Sequence, residues 1–265
     1  MKIGVAQIEC IPGNVSSNCS KITTYARRAQ HEGCGAIVFP EMVDTGYDMS
    51  MLDGIASPWD ENREDTPFAA VRSAAKDTGI YVVCGLSEKT GEKVYNSTAV
   101  FDPHGTLIGK YRKIHLAAYS LFNEDRFITA GDSVVTVQVG DMTWGLIICY
   151  DIRFGELSRA LVKDSAAAIQ ISSAWPFPRL AHWQTLTRAR AIENQSYVIA
   201  ANRIGTDAGV TFCGSSCVID PYGVTVASAA ADREEMIVAD ISTDVVKSVR
   251  EQLPFLEQRR EDLFG

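Results

Sequence analysis

The chain has 265 residues, 46% of them hydrophobic and 22% charged, with a formal net charge of −8. Such a length and composition fit a globular protein whose core needs no disulfide or structural metal to hold it. The acidic balance argues against nucleic acid as a partner, because surfaces that bind it are usually basic.

Met1 leads directly into KIGVAQI, which reads as a buried strand rather than a secretory leader. The segment from Asn14 to Ala29 carries Ile22, Tyr25, Ala26 and Ala29 at helical spacing, with Gly33 as its stop. GAIVFP follows as a second buried strand. Thr66-Pro67 starts a helix, with a hydroxyl cap and then proline where no N–H is needed; it runs to Lys76 and ends at Gly79. IYVVCGL is the next strand, and STAVFDPHGTLIGKY a hairpin turning at Asp102-Pro103-His104-Gly105. A long irregular stretch spans Arg112 to Asp132.

VVTVQVGDMTWGLIIC then forms two strands around Gly140-Asp141. An amphipathic helix is expected over Ile152 to Lys163, a strand over AAAIQIS, a helix over Ala181 to Gln195 and a strand over YVIAANRIG. CVIDPYGVTVASA repeats the Asp-Pro-x-Gly hairpin, MIVADIS is the last strand, and a helix covers Thr243 to Glu251. There is no linker or composition break, so one domain over 1–265 is expected, with a charged tail from about 252 that suits packing on a partner subunit. Hairpins mixed with helix crossovers suit two packed sheets with helices outside. No apolar run approaches the ~20 residues that cross a bilayer. Seven cysteines, an odd number lying mostly in apolar runs, fit reduced thiols in a cytoplasm.

Three stretches carry chemistry. In WGLIICYDIRFGEL a buried strand ends at Cys149 and a helix starts soon after, the cysteine counterpart of a nucleophile elbow. The backbone N–H of Tyr150 then faces an oxyanion, and the helix start is expected to favour a thiolate. The alternative is a buried structural cysteine. In GAIVFPEM, Glu41 sits at the C-terminal edge of a strand, where sheets bind ligands; among apolar neighbours it would serve as a general base, or else be a solvated loop carboxylate. In GKYRKIHL, Lys113 is bracketed by apolar positions ahead of a long loop, suited to holding a negative oxygen. Of the four histidines, His31 and His104 read as solvated, while His115 and His182 stay open as the base of a Cys–His pair. Cys213 and Cys217 lack a second pair at zinc-like spacing, so no metal is expected, and without a P-loop or GxGxxG no nucleotide is either.

A carboxylate, an ammonium and a thiol in FPEM, YRKIHL and GLIICYDIRFGEL resemble the nitrilase superfamily of carbon–nitrogen hydrolases in order and spacing. The likeness continues through ARAIENQSYVIAANRIG to the DPYG hairpin and the C-terminal helix, nearly the whole chain. It implies a four-layer α-β-β-α sandwich, a homodimer or larger assembly, no cofactor, and Glu41, Lys113 and Cys149 as the catalytic triad. FNEDRFITAGD places Glu124 where the family has a further glutamate, although HLAAYS stands where HLFD is commoner. CYDIRF, WPFPRLAHWQ and EMVDTGY look most like the ω-amidase branch, which acts on α-keto acid amides such as 2-oxoglutaramate. Carbamoyl-amine hydrolases tend to have Trp where Tyr150 stands; they and nitrilases share the triad and remain alternatives, as does a non-catalytic binding module. An ω-amide substrate carries a carboxylate that a planar arginine fork suits. Arg179 is the first candidate and Arg153 the second, with Arg153 alternatively bracing the elbow through a carboxylate; Tyr47 and Trp175 are candidate pocket walls.

Overall fold

The computed structural model describes residues 1–119 and 122–264, so Ser120 of the HLAAYS segment, Leu121 and Gly265 lie outside the described residues. In chain order the elements are β1 (Lys2–Gln7), α1 (Val15–His31), β2 (Ala36–Val38), α2 (Leu52–Ile55), α3 (Pro67–Thr78), β3 (Tyr81–Thr90), β4 (Lys93–Phe101) and β5 (Leu107–Arg112). They continue with β6 (Thr136–Val139), β7 (Met142–Ile148), α4 (Gly155–Lys163), β8 (Ala168–Ser173), α5 (Leu180–Asn194) and β9 (Tyr197–Asn202). The last are β10 (Thr206–Asp207), β11 (Val210–Thr211), β12 (Cys217–Ile219), β13 (Thr225–Ser228), β14 (Glu235–Asp240), α6 (Thr243–Gln252) and α7 (Glu261–Phe264).

Two six-stranded sheets form, ordered β14-β1-β2-β3-β4-β5 and β13-β12-β9-β8-β7-β6. At the centre of each, three strands run parallel: β1-β2-β3 in the first and β7-β8-β9 in the second. The alternation of side chains along a strand explains the layers. In the first sheet Ile3, Val5, Val38, Val83 and Val100 point into the core shared with Leu146, Ile148, Ile171 and Val198 of the second. Their neighbours Ile37, Phe39, Val82 and Phe101 point the other way, onto Ile22, Ala26 and Ala29 of α1 and Phe68, Val71 and Ala75 of α3. Leu157 and Leu161 of α4 and Trp183 and Ala191 of α5 cover the second sheet. This is the expected α-β-β-α sandwich. Each such aliphatic side chain, buried, contributes about 1.5–3 kcal/mol.

Local chemistry sets the ends. Thr66 accepts the Ala69 N–H at 3.1 Å ahead of Pro67, and Gly79 closes α3 at φ +66°. The two Asp-Pro-x-Gly turns are built alike. Asp102 accepts the N–H groups of His104 and Thr106, and Asp220 those of Tyr222 and Val224, all at 2.8–2.9 Å.

Three boundaries differ from expectation. The β3 and β4 strands continue to Thr90 and back to Lys93 as one long hairpin, where sequence pattern stopped at Leu86 and resumed at Ser97. The polar stretch hid it: Glu88 is buried there, paired with Lys110 and Arg112 of β5. The expected helix from Ile152 begins at Gly155, because Cys149–Arg153 form a separate 3₁₀ turn. The tail folds back on its own chain, with Leu256 against the core and Glu261 3.3 Å from Lys163. Among the described residues no helix is long and apolar enough to cross a membrane, and all seven cysteines are free.

Candidate active site

Glu41 and Cys149 follow the central strands β2 and β7, and Lys113 follows the edge strand β5, each just past the C-terminal end of its strand. Cys149 follows β7 directly and adopts φ +45°, the left-handed region that a residue with a Cβ rarely enters. This is the sharp turn that lifts a nucleophile off a sheet. Tyr150 lies in the first turn of the 3₁₀ segment, so its N–H has no acceptor within that turn.

Glu41 lies just beyond β2. The segment 40–43 passes so close to β3 that a Cβ on Gly85 would stand 2.4 Å from the Pro40 carbonyl oxygen and 2.7 Å from the Glu41 Cα. Gly85 N–H donates to Pro40 O at 3.1 Å, and Val43 N–H to Gly85 O at 2.9 Å. Glu41 is completely buried, yet its surroundings are polar rather than the apolar shield expected. Oε1 accepts from Asn96 Nδ2 at 2.6 Å and Lys113 Nζ at 2.9 Å, and Oε2 from the Ala174 N–H at 2.8 Å.

Lys113 follows β5 and is also buried. Its backbone is fixed by Asn96 O at 2.8 Å and by the Gly131 N–H at 2.7 Å. Gly131 has to be glycine-like in bulk, since a Cβ would meet Arg112 O at 2.3 Å. Nζ donates to Glu41 at 2.9 Å and to Glu124 Oε1 at 2.7 Å. Glu124 also accepts the Tyr47 hydroxyl and, at Oε2, the Ala117 N–H at 2.6 Å. One ammonium is thus shared by two buried carboxylates.

The electrostatics follow. Burial opposes the charge on Lys113, but Glu124 and Glu41 outweigh it and hold the ammonium well above its ordinary range. Burial and Glu41 raise the carboxyl of Glu124 against the pull of Lys113. Burial first, and then Glu41, push the Cys149 thiol up, while Lys113 and Ser173 act the other way. Burial and Glu41 thus work against the resting thiolate expected at a helix start, and favour a protonated sulfur with a base beside it.

Cys149 opens into a narrow pocket that is lined also by Tyr47, Tyr119, Phe122, Tyr150, Arg153, Trp175 and Arg179. All four candidate substrate contacts from the sequence reach it. The Arg179 guanidinium lies 5.5 and 5.2 Å from the ring centres of Tyr119 and Phe122, and its buried Nε has no hydrogen-bond partner among the described residues. Arg153 lies 4.6 Å over Trp175 and 3.4 Å from His182 Nδ1. It does not brace the elbow; that carboxylate is Asp151, which accepts the Ile148 N–H at 3.0 Å. Larger surface grooves lie along α5 and beside α4, away from this chemistry.

Neither histidine serves the thiol. His115 Nδ1 lies 2.8 Å from Asp151, and His182 sits against Arg153. Among the described residues no three His, Cys, Asp or Glu side chains are placed to hold a metal ion. Sequence reasoning missed Asn96, Asp151 and the Ala174 N–H. Asn96, a polar residue within the VYNSTAVF strand, carried a readable signal; a backbone N–H carried none.

Comparison with known proteins agrees with this geometry. The family model described as carbon-nitrogen hydrolase matches residues 2–251. A 2-oxoglutaramate amidase of Bacillus subtilis (strain 168) is 34% identical over 99% of this chain and 98% of its own. An omega-amidase of Homo sapiens is 32% identical over 94% of this chain and 92% of its own. The crystal structure of Saccharomyces cerevisiae Nit3, a member of branch 10 of the nitrilase superfamily, superposes with a TM-score of 0.90 at 28% identity, covering 98% of this chain and 96% of that one. The chain belongs to the carbon–nitrogen hydrolase family and is a hydrolase of non-peptide carbon–nitrogen bonds.

Proposed function

We propose that the protein is an omega-amidase: it hydrolyses small amides that carry a carboxylate at the far end, such as 2-oxoglutaramate, through a thioester on Cys149. The observation that carries this reading is the pair Arg153 and Arg179. Both line the cavity that holds Cys149, and neither has a carboxylate partner among the described residues. Two guanidinium groups without a carboxylate partner, lining one narrow pocket beside the thiol, favour a small anion. The 34% identity to a 2-oxoglutaramate amidase supports the same substrate class.

The chemistry follows from the contacts. Glu41 takes the thiol proton as Sγ attacks the amide carbon. The oxyanion is held by Lys113 Nζ and the Tyr150 N–H, each worth on the order of 10²–10³ in rate. Glu41 returns the proton to nitrogen, the C–N bond breaks and ammonia leaves the thioester. Water then adds to the thioester carbon, giving its proton to Glu41. The C–S bond breaks, the acid leaves, and the sulfur regains the proton from Glu41. Glu124 holds the lysine between the two carboxylates and keeps Nζ aimed at the oxyanion. Tyr47 and Trp175 wall the cavity.

The proposal includes a single catalytic domain over 1–265 that acts in the cytoplasm without a cofactor, as a homodimer or larger assembly. The free thiols favour a reducing compartment, and exposed Leu253, Phe255 and Leu263 on the C-terminal segment favour a partner subunit. Ammonia release from α-keto acid amides, dicarboxylate monoamides, N-carbamoyl amines and nitriles tests the substrate class. The first two should be turned over best. Preference for a carbamoyl compound or a nitrile would overturn it.

A further inference from the structure

We propose that Asp151 is a positioning residue that locks the nucleophile strand to the lysine loop, with His115 as its fixed anchor on the loop side. The inference rests on the amidase reading of Cys149 and Lys113, and goes beyond it by asking what holds the two in register.

Asp151 is completely buried, and its two oxygens receive four donors. Oδ2 accepts the Ile148 N–H at 3.0 Å and the Tyr111 hydroxyl at 2.7 Å. Oδ1 accepts the His115 backbone N–H at 2.9 Å, and His115 Nδ1 lies 2.8 Å from the same oxygen. Because the carboxylate only accepts, Nδ1 carries the hydrogen. Ile148 immediately precedes Cys149, and Tyr111 and His115 lie two residues to either side of Lys113. A single carboxylate therefore grips both catalytic segments within one residue of the thiol and two of the ammonium.

The arrangement specifies aspartate and histidine. An asparagine has one acceptor oxygen, and its NH₂ would face donors on the other side. Leaving buried donors unpaired costs about 1–3 kcal/mol each, so the segments would shift rather than stay. The His115 ring is stacked on Phe154 at 3.7 Å between centres and 10° between planes. Phe154 ends the 3₁₀ turn that starts at Cys149, so the loop is held on both sides of that turn. At Cys149 itself the positive φ needs such over-determination to persist.

The test compares His115→Ala, His115→Asn, Tyr111→Phe and Asp151→Asn with the unaltered enzyme, each first checked for native circular dichroism. The readouts are kcat and KM on an α-keto acid amide and the rate of Cys149 alkylation by iodoacetamide. Asn places its Nδ2–H where Nδ1–H stood, so His115→Asn should recover most of what His115→Ala loses. We expect kcat to fall on the order of 10-fold in His115→Ala and 10²-fold in Asp151→Asn, as for small misplacements of reacting groups, with KM within about twofold. Tyr111→Phe, which like His115→Ala keeps three of the four donors but leaves the His115–Phe154 stack in place, should lie between His115→Asn and His115→Ala. Equal kcat in unaltered, His115→Ala and Tyr111→Phe enzymes overturns the proposal. So does an equal loss in His115→Ala and His115→Asn. If the unaltered enzyme turns over no amide, the functional reading fails. The alkylation rate still decides the positioning: a difference between His115→Ala and His115→Asn upholds it, and equality overturns it.

Discussion

Arg179→Met removes a guanidinium while keeping most of the apolar stem. The folded chain should tolerate it: Arg179 has no carboxylate partner among the described residues, and its cation–ring contacts to Tyr119 and Phe122 contribute about 0.5–1 kcal/mol at a half-exposed site. A hydrogen bond between charged groups contributes about 1.5–3 kcal/mol. At about 1.4 kcal/mol per factor of ten, kcat/KM for a carboxylate-bearing amide should fall roughly 10- to 150-fold. A neutral amide of the same length makes no such bond, so its kcat/KM should change by less than about threefold. Ammonia release from succinamate and from butyramide, on one preparation of each enzyme, gives both numbers. An equal loss on both substrates would show that the mutation disturbed the cavity rather than a carboxylate fork. No loss on either would remove Arg179 from recognition and leave Arg153, for which Arg153→Met is the matching experiment.

Glu124→Gln takes away the charge that Lys113 and Tyr47 share and sets an NH₂ among donors, so kcat should fall on the order of 10²-fold with the secondary structure intact; a change below about threefold in steady-state kinetics would contradict its role beside Lys113. Gly85→Ala places a methyl 2.4 Å from Pro40 O, displacing the Glu41 segment at about 1–3 kcal/mol or more; an unchanged urea midpoint together with unchanged kcat would refute that close approach. Glu88 has a pH signature. Burial alone would raise its carboxyl, but hydrogen bonds from Arg112, Lys110 and Ser97 bring it down from 4.5 to about 2. A folded value below the unfolded one makes the ionised group stabilising above pH 4.5, and this contribution is lost as pH falls from 4.5 through about 2. In Glu88→Gln the acid side of the stability–pH curve should be flatter in that window, and an unaltered slope would count against the ion cluster.

Much of this protein is legible in its sequence because continuous apolar runs such as GAIVFP and WGLIIC mark the buried strands, and hydroxyl, proline and glycine punctuation marks the helix ends. Glu41 and Cys149 stand at the ends of such runs, but Lys113 follows the charged GKYR, and it was the family resemblance that joined the three. The β3–β4 hairpin was not legible, since its outer half is polar and is buried through an ion cluster that no hydrophobic pattern records. The burial that opposes a thiolate at Cys149 was hidden for a related reason. A strand–Cys–helix pattern suggests a stabilised thiolate, but the outcome depends on how deeply the sulfur is buried and on the carboxylate beside it, and neither is local in sequence. Asp151 was in plain view within CYDIRF, yet its partners Tyr111 and His115 lie 40 and 36 residues away.

The central claim is covalent catalysis by Cys149, and trapping the acyl-enzyme tests it most directly. With a slowly turned-over amide, rapid quench and mass spectrometry of the proteolysed enzyme should find the acyl mass on the peptide carrying Cys149, released by hydroxylamine as a thioester. Cys149→Ala should show neither the adduct nor turnover, with an unchanged circular dichroism spectrum. Turnover retained in Cys149→Ala, or an adduct on any other residue, would contradict the account.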